Sequence, residues 1–227
     1  MVSGKIEFLM NSNMKYGIGE FEQLPGHLKK MRFTNIAIVV DKAISNLEYV
    51  RDVISACRDM FKKCEVLVYE LGGEPTYDYL DRSTAIMRRH KDLDVIVGVG
   101  GGSIMDLAKG IAVLMTNEGD GIRYRGFPEN INCPIPVVVV PTTAGTGSDA
   151  TYNAVFIDEG AQKKLGINTT MNFPVLSILD PKLILNCPKN IIASSGMDAL
   201  THAITQTDKL WIHFFYTAFQ KSLKFCH

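Results

Sequence analysis

Asp198 and His202 stand four residues apart in Gly-Met-Asp-Ala-Leu-Thr-His-Ala-Ile, residues 196–204. In a helix that spacing sets both side chains on one face. A carboxylate and an imidazole projecting together suit a borderline divalent cation, and a cation held in this way acts as a Lewis acid on a substrate oxygen. Upstream lie two glycine-rich turns of the kind that hold phosphates. A nucleotide cradle followed by half a metal site points to metal-assisted hydride chemistry.

The first turn is Gly-Val-Gly-Gly-Gly-Ser-Ile-Met-Asp, residues 98–106, directly after a predicted strand. Its glycines allow close backbone approach to a ligand. Ser103 and Asp106 fit an S-x-x-D capping signature, which predicts a helix starting at Ser103. The amides of that first turn would face an anion, helped by the helix dipole, and a pyrophosphate is the natural occupant. A purely structural turn would share the glycines, but strand, glycines and cap in succession favour the ligand site. The second turn, Pro-Thr-Thr-Ala-Gly-Thr-Gly-Ser-Asp over 141–149, offers hydroxyls and amides at the C-terminal end of another strand. Open α/β sheets bind their ligands at such ends. Asp41 ends an earlier strand. It could accept from a ribose 2′-hydroxyl and repel a 2′-phosphate, or it could cap the next helix; both readings stand at this stage.

The elements that must position these residues follow from the apolar pattern. Short β-branched runs at 36–40, 65–69, 94–99 and 136–140 read as strands. Between them lie helical stretches at 47–61, 76–90 and 106–116. Continuous rather than alternating apolar strands indicate a sheet covered on both faces, the signature of parallel strands joined by helices. The first 120 or so residues therefore predict a doubly wound α/β domain. Residues 154–157 and 164–167 predict a hairpin around Asp158-Glu159-Gly160, 176–179 a run ending at the turn Asp180-Pro181, and Pro188 precedes a final helix.

Composition sets limits. Lys plus Arg equals Asp plus Glu at 24 each, which gives no electrostatic reason for a nucleic acid or an anionic membrane partner. No apolar run reaches the roughly 18 residues a membrane span needs. The first eight residues lack the basic-then-apolar layout of a secretory leader. Five cysteines (Cys57, Cys64, Cys133, Cys187, Cys226) are scattered without a C-x-x-C pair, as expected of reduced cytoplasmic thiols. His27 and His90 lie in charged or loop surroundings and read as solvated surface residues.

Taken in order, residues 100–109, 141–149, 179–181 and 196–204 resemble four motifs of the iron-containing alcohol dehydrogenase family, over roughly residues 5 to 204. The resemblance implies a Rossmann-like doubly wound parallel sheet at 1–187, followed at 188–227 by the start of an all-helical metal-binding domain. It implies that Gly101, Gly102 and Ser103 bind the pyrophosphate, with Asp106 in the same motif, and that Asp41 sits at the adenosine ribose, favouring NAD over NADP. Thr142, Thr143 and Thr146 would line the cofactor groove, with Lys164 near a ribose. Asp198 and His202 would be two of four ligands for Fe²⁺ or Zn²⁺. The implied substrate is a small alcohol or aldehyde, and a homodimer is compatible with the family. A glycerol-dehydrogenase-like relative shares the layout, but the motif at 141–148 sides with the alcohol dehydrogenases.

Departures accompany the match. Ser148-Asp149 replaces the family's Ser-Glu, and the text after Ile204 does not align. Two further histidines are expected far downstream in the family, so the sequence predicts a chain truncated after its first domain, with an atypical tail. His213 lies 11 residues beyond His202, about 16 Å along a continuous helix, too far to share a metal with it. His227 is the last residue and reads as incidental. A dinucleotide-binding fragment without catalysis is the competing reading. The expectation is weak NAD binding, little or no alcohol turnover, and apolar surface on the final helix that limits solubility.

Overall fold

The computed structural model describes residues 11–185 and 187–205. Six parallel strands lie in the order β1-β8-β5-β4-β2-β3. The central three are β2 (Asn35–Asp41), β4 (Val95–Gly100) and β5 (Val137–Pro141), with β3 (Lys63–Tyr69) at one edge. β8 (Leu176–Leu179) pairs with β5, and β1 (Asn13–Tyr16) closes the other edge. The apolar runs of the central strands alternate between two cores, as burial on both faces requires. Ile36, Ile38 and Val40 face one side with Val95, Val97 and Val99; Ala37, Val39 and Ile96 face the other.

The first side is covered by α1 (Leu24–Lys30) and α3 (Glu48–Met60), whose Val50, Val53, Ile54 and Cys57 form the predicted stripe. A four-residue helix, α2 (Lys42–Ser45), precedes α3. The opposite side carries α4 (Tyr77–Met87) and α5 (Gly102–Thr116). α5 approaches β4 closely because Gly98 has no Cβ; one added there would stand 2.9 Å from the Ala108 methyl.

The predicted hairpin is present as an antiparallel pair, β6 (Asn153–Asp158) and β7 (Lys163–Asn168), and it packs Ala154, Phe156 and Ile167 on the α5 side. Asp180 then opens α6 (Pro181–Leu185), accepting from the Lys182 amide at 3.0 Å and from the Phe21 amide at 3.1 Å. α7 (Lys189–Thr205) follows. Among the described residues no helix is long and apolar enough to cross a membrane.

Candidate functional site

The chain runs from β2 out to β3 and returns to β4 on the other side of β2. The order reverses there, and the crevice outside the C-terminal ends of β2 and β4 is where such sheets bind ligands. Asp41 closes β2 and Gly100 closes β4 on adjacent strands, with Val40 in register with Val99. Asp41 caps α2, its Oδ1 accepting from the Ala43 amide at 2.9 Å.

α5 begins one residue earlier than the capping signature predicts. Gly101 is its N-cap and makes no side-chain cap hydrogen bond. Ser103 lies inside the first turn, and Asp106 does not reach back to close a capping box. Its carboxylate turns instead toward the hairpin, where Oδ1 accepts from Ser148 Oγ at 2.6 Å and Oδ2 from the Val155 amide at 3.0 Å. Two defined donors outcompete a single exposed helix end for a carboxylate that is partly buried. The first-turn amides are left without a side-chain cap, and Gly101, Gly102 and Ser103 are only partly buried. A helix start with those features has the chemistry that suits an anion.

The second turn folds over the first. The Thr142 amide donates to the Gly100 carbonyl at 3.0 Å, and Thr142 is buried. Thr143 and Thr146 pack on the two glycines: a Cβ on Gly101 would stand 3.3 Å from Thr143 Oγ1, and one on Gly102 would stand 2.7 Å from Thr146 Cγ2. Gly147 takes φ +65°, a left-handed conformation that favours glycine. The chain then descends to buried Ser148.

Beneath Ser148 lies a residue to which the sequence reading gave no role. Lys109 is fully buried, and its ammonium donates to the Ser148 carbonyl at 2.6 Å, to Ser148 Oγ at 2.8 Å and to the Asn153 carbonyl at 3.0 Å. All three protons have acceptors. Burial lowers its pKa to about 8, with the charges of Asp106 and Asp149 opposing that shift. Burial likewise raises the pKa of Asp106, against the nearby Lys109 charge. The signal was available as an acid and a base three residues apart on the apolar face of a predicted helix.

A cleft of about 880 Å³ opens beside this network, lined by Asp106, Thr146, Ser148, Lys164, Asp198 and His202 among others. Strand alternation distinguishes the two adjacent lysines: Lys164 lines the cleft and Lys163 does not. The Lys164 ammonium pairs with Glu74.

Across the cleft, α7 presents the Asp198–His202 pair, with Oδ1 and Nε2 3.6 Å apart. Two ligands each about 2.1 Å from a tetrahedral ion stand roughly 3.4 Å apart, so the observed spacing accepts one divalent cation between them. The donor set suits Fe²⁺ or Zn²⁺. Among the described residues no cluster of three or more His, Cys, Asp or Glu side chains could hold a metal. His213 and His227 lie outside the described residues.

The reading of His27 and His90 as solvated is corrected. His27 Nε2 lies 2.6 Å from Glu20 Oε1 with its side chain only 11% exposed, and His90 Nδ1 lies 3.2 Å from Glu65 Oε1, both partners being partly buried. Neither pair belongs to the cleft lining. On α7, Ile192, Met197, Leu200 and Ile204 are exposed, in line with the expected apolar surface.

Known proteins are similar to this chain in sequence and fold. The family described as iron-containing alcohol dehydrogenase matches residues 11–181. The chain is 36% identical over 191 residues to 1,3-propanediol dehydrogenase of Klebsiella pneumoniae, covering 82% of this chain and 47% of that protein. It is 32% identical over 200 residues to alcohol dehydrogenase 4 of Schizosaccharomyces pombe, covering 87% and 46% respectively. Its fold is similar to that of sulfoacetaldehyde reductase from Bifidobacterium kashiwanohense in complex with NAD⁺, with a TM-score of 0.79, 26% identity, and coverage of 88% of this chain and 53% of that one. The chain spans about half the length of the curated relatives it matches.

Proposed function

The chain belongs to the iron-containing alcohol dehydrogenase family, and on that premise we propose that it binds NAD beside a divalent-metal site for alcohol oxidation or aldehyde reduction. Residues 1–187 form the dinucleotide-binding unit in this reading, and residues 188–227 open a helical metal-binding unit. The observation that carries it is the placement of the threonine-rich turn, which packs on the uncapped start of α5 and lines one cleft with the Asp198–His202 pair.

In this reading the amides of Gly102 and Ser103 bind the pyrophosphate, where the α5 dipole favours negative charge. Asp41 caps α2 with one oxygen and offers the other to the adenosine ribose, so a 2′-phosphate would meet like charge and NAD is preferred to NADP. Thr142, Thr143 and Thr146 orient the nicotinamide half, while Lys164 leaves Glu74 to reach a ribose hydroxyl. Asp106 and Lys109 hold Ser148 and so fix the turn from below. Asp198 and His202 would hold Fe²⁺ or Zn²⁺. When bound, the ion supplies Lewis acidity toward the alcohol oxygen and the dinucleotide accepts the hydride. A small alcohol or aldehyde substrate, a cytoplasmic setting and a homodimer complete the proposal by family likeness.

A second reading, dinucleotide binding without turnover, draws on the ligand count: the described residues bring two ligands to the cleft where catalytic sites generally use at least three. One assay separates the two. NADH formation from 1-propanol or 1,3-propanediol with added Fe²⁺ or Zn²⁺, abolished by His202→Ala, supports the enzyme. NAD⁺ binding with no NADH under any metal supports the binding unit.

A further inference from the structure

The threonine-rich turn touches both halves of the proposed site, and its middle residue makes the second contact. A Cβ on Gly145 would stand 2.6 Å from the Ser195 carbonyl oxygen, 2.8 Å from Ser195 Cβ and 3.0 Å from the Ser195 carbonyl carbon. Two of those three atoms are α7 backbone, which cannot swing away as a flexible side-chain tip would. On either side of Gly145 along the chain, Thr143 and Thr146 lie against Gly101 and Gly102 at the start of α5. Residues 143–146 are therefore wedged between the anion-facing helix start and the helix that carries Asp198 and His202.

We propose that Gly145 is a positioning residue through which dinucleotide occupancy sets the placement of α7, and with it the Asp198–His202 pair. This rests on the NAD reading above. The physical basis is the unequal support of the two sides. The turn is tied from below by Ser148, which bridges Asp106 and Lys109. Among the described residues the apolar side chains of α7 are poorly covered: Ile191, Ile192, Met197, Leu200 and Ile204 are 39–63% exposed. A helix with so few buried apolar contacts opens readily, and its opening free energy responds to whatever firms its seat. A dinucleotide that orders Thr143 and Thr146 also orders Gly145 between them, and α7 rests on Gly145. Coupling of this kind is reciprocal, so a cation on α7 would tighten the dinucleotide in turn.

The test is amide hydrogen exchange of residues 189–205 in the whole chain, with and without NAD⁺ at a concentration that saturates each protein by calorimetric titration. NAD⁺ is expected to slow exchange in this helix by roughly fivefold or more, the lower end of ordinary coupling between sites. Gly145→Ala pushes a methyl into the Ser195 backbone and is expected to lose that slowing while NAD⁺ is bound. Gly26→Ala, where nothing lies within 4 Å of the added Cβ, controls for glycine replacement and keeps it. Saturation with NAD⁺ and no change in α7 exchange in the wild type overturns the proposal, whether or not Gly145→Ala folds. Equal slowing in folded Gly145→Ala overturns the role of Gly145. Failure of the wild type to bind NAD⁺ is read in the titration itself and removes the functional reading beneath the proposal.

Discussion

Lys109 and Asp106 meet on a single hydroxyl: Ser148 Oγ donates to Asp106 at 2.6 Å and accepts from Lys109 at 2.8 Å. Lys109 is fully buried and Asp106 partly so, and desolvation is the largest influence on each pKa. Removing one partner therefore strands the other. Lys109→Met is expected to destabilise the fold by about 3–5 kcal/mol, the usual cost of an uncompensated buried charge. Lys109→Met with Asp106→Asn is expected to cost less than Lys109→Met alone. Urea unfolding of the two single variants and the double variant measures the coupling.

The same lysine gives a pH signature. Its pKa is lowered from 10.5 to about 8 in the folded chain. Between those values the unfolded state holds more protons, so this group makes the folded state more stable as pH rises. Wild-type stability relative to Lys109→Met is expected to climb from about pH 8 toward pH 10.5. Paired urea melts across that window check it, and a flat difference contradicts the assignment.

Asp41 caps α2, and the proposed role at the adenosine ribose can be separated from that cap. Asn is about as good an N-cap as Asp, so Asp41→Asn keeps the bond to Ala43 and costs a few tenths of a kcal/mol at most. The charge facing a 2′-phosphate is gone, so NADP affinity is expected to rise toward that for NAD. Titration of both cofactors into both proteins gives the ratio.

The two adjacent lysines offer a matched comparison. Lys164→Ala is expected to weaken NAD binding about tenfold, the worth of one charge-assisted hydrogen bond. Lys163→Ala, off the cleft lining, is expected to leave affinity within about twofold. Equal effects would mean that the strand does not direct Lys164 to the cofactor.

The sequence carried the fold where apolar periodicity was strong. The four β-branched runs, the stripe of α3 and the hairpin at 154–167 lie where the pattern puts them. β1 was not legible, because Asn-Met-Lys-Tyr carries no apolar run and owes its strand to pairing with β8. α1 was not legible, because Pro25 and Gly26 are poor helix formers in isolation, although Pro is well suited to a first helical turn. The helix start at Ser103 failed by one residue, because spacing cannot say whether a carboxylate will find better donors elsewhere; Asp106 found Ser148 and Val155. Lys109, His27 and His90 share a cause. Their partners lie outside the helical or strand pattern that places each residue, and only the tertiary fold shows the pairing.

Calorimetric titration of NAD⁺ into the wild type and Gly102→Val is the most direct test of dinucleotide binding at the start of α5. A side chain at Gly102 must displace Thr146 and crowd the first-turn amides. One saturable site is expected in the wild type, and its loss in a Gly102→Val protein that still melts cooperatively. No NAD⁺ binding by the wild type, or undiminished binding by the folded variant, would contradict it.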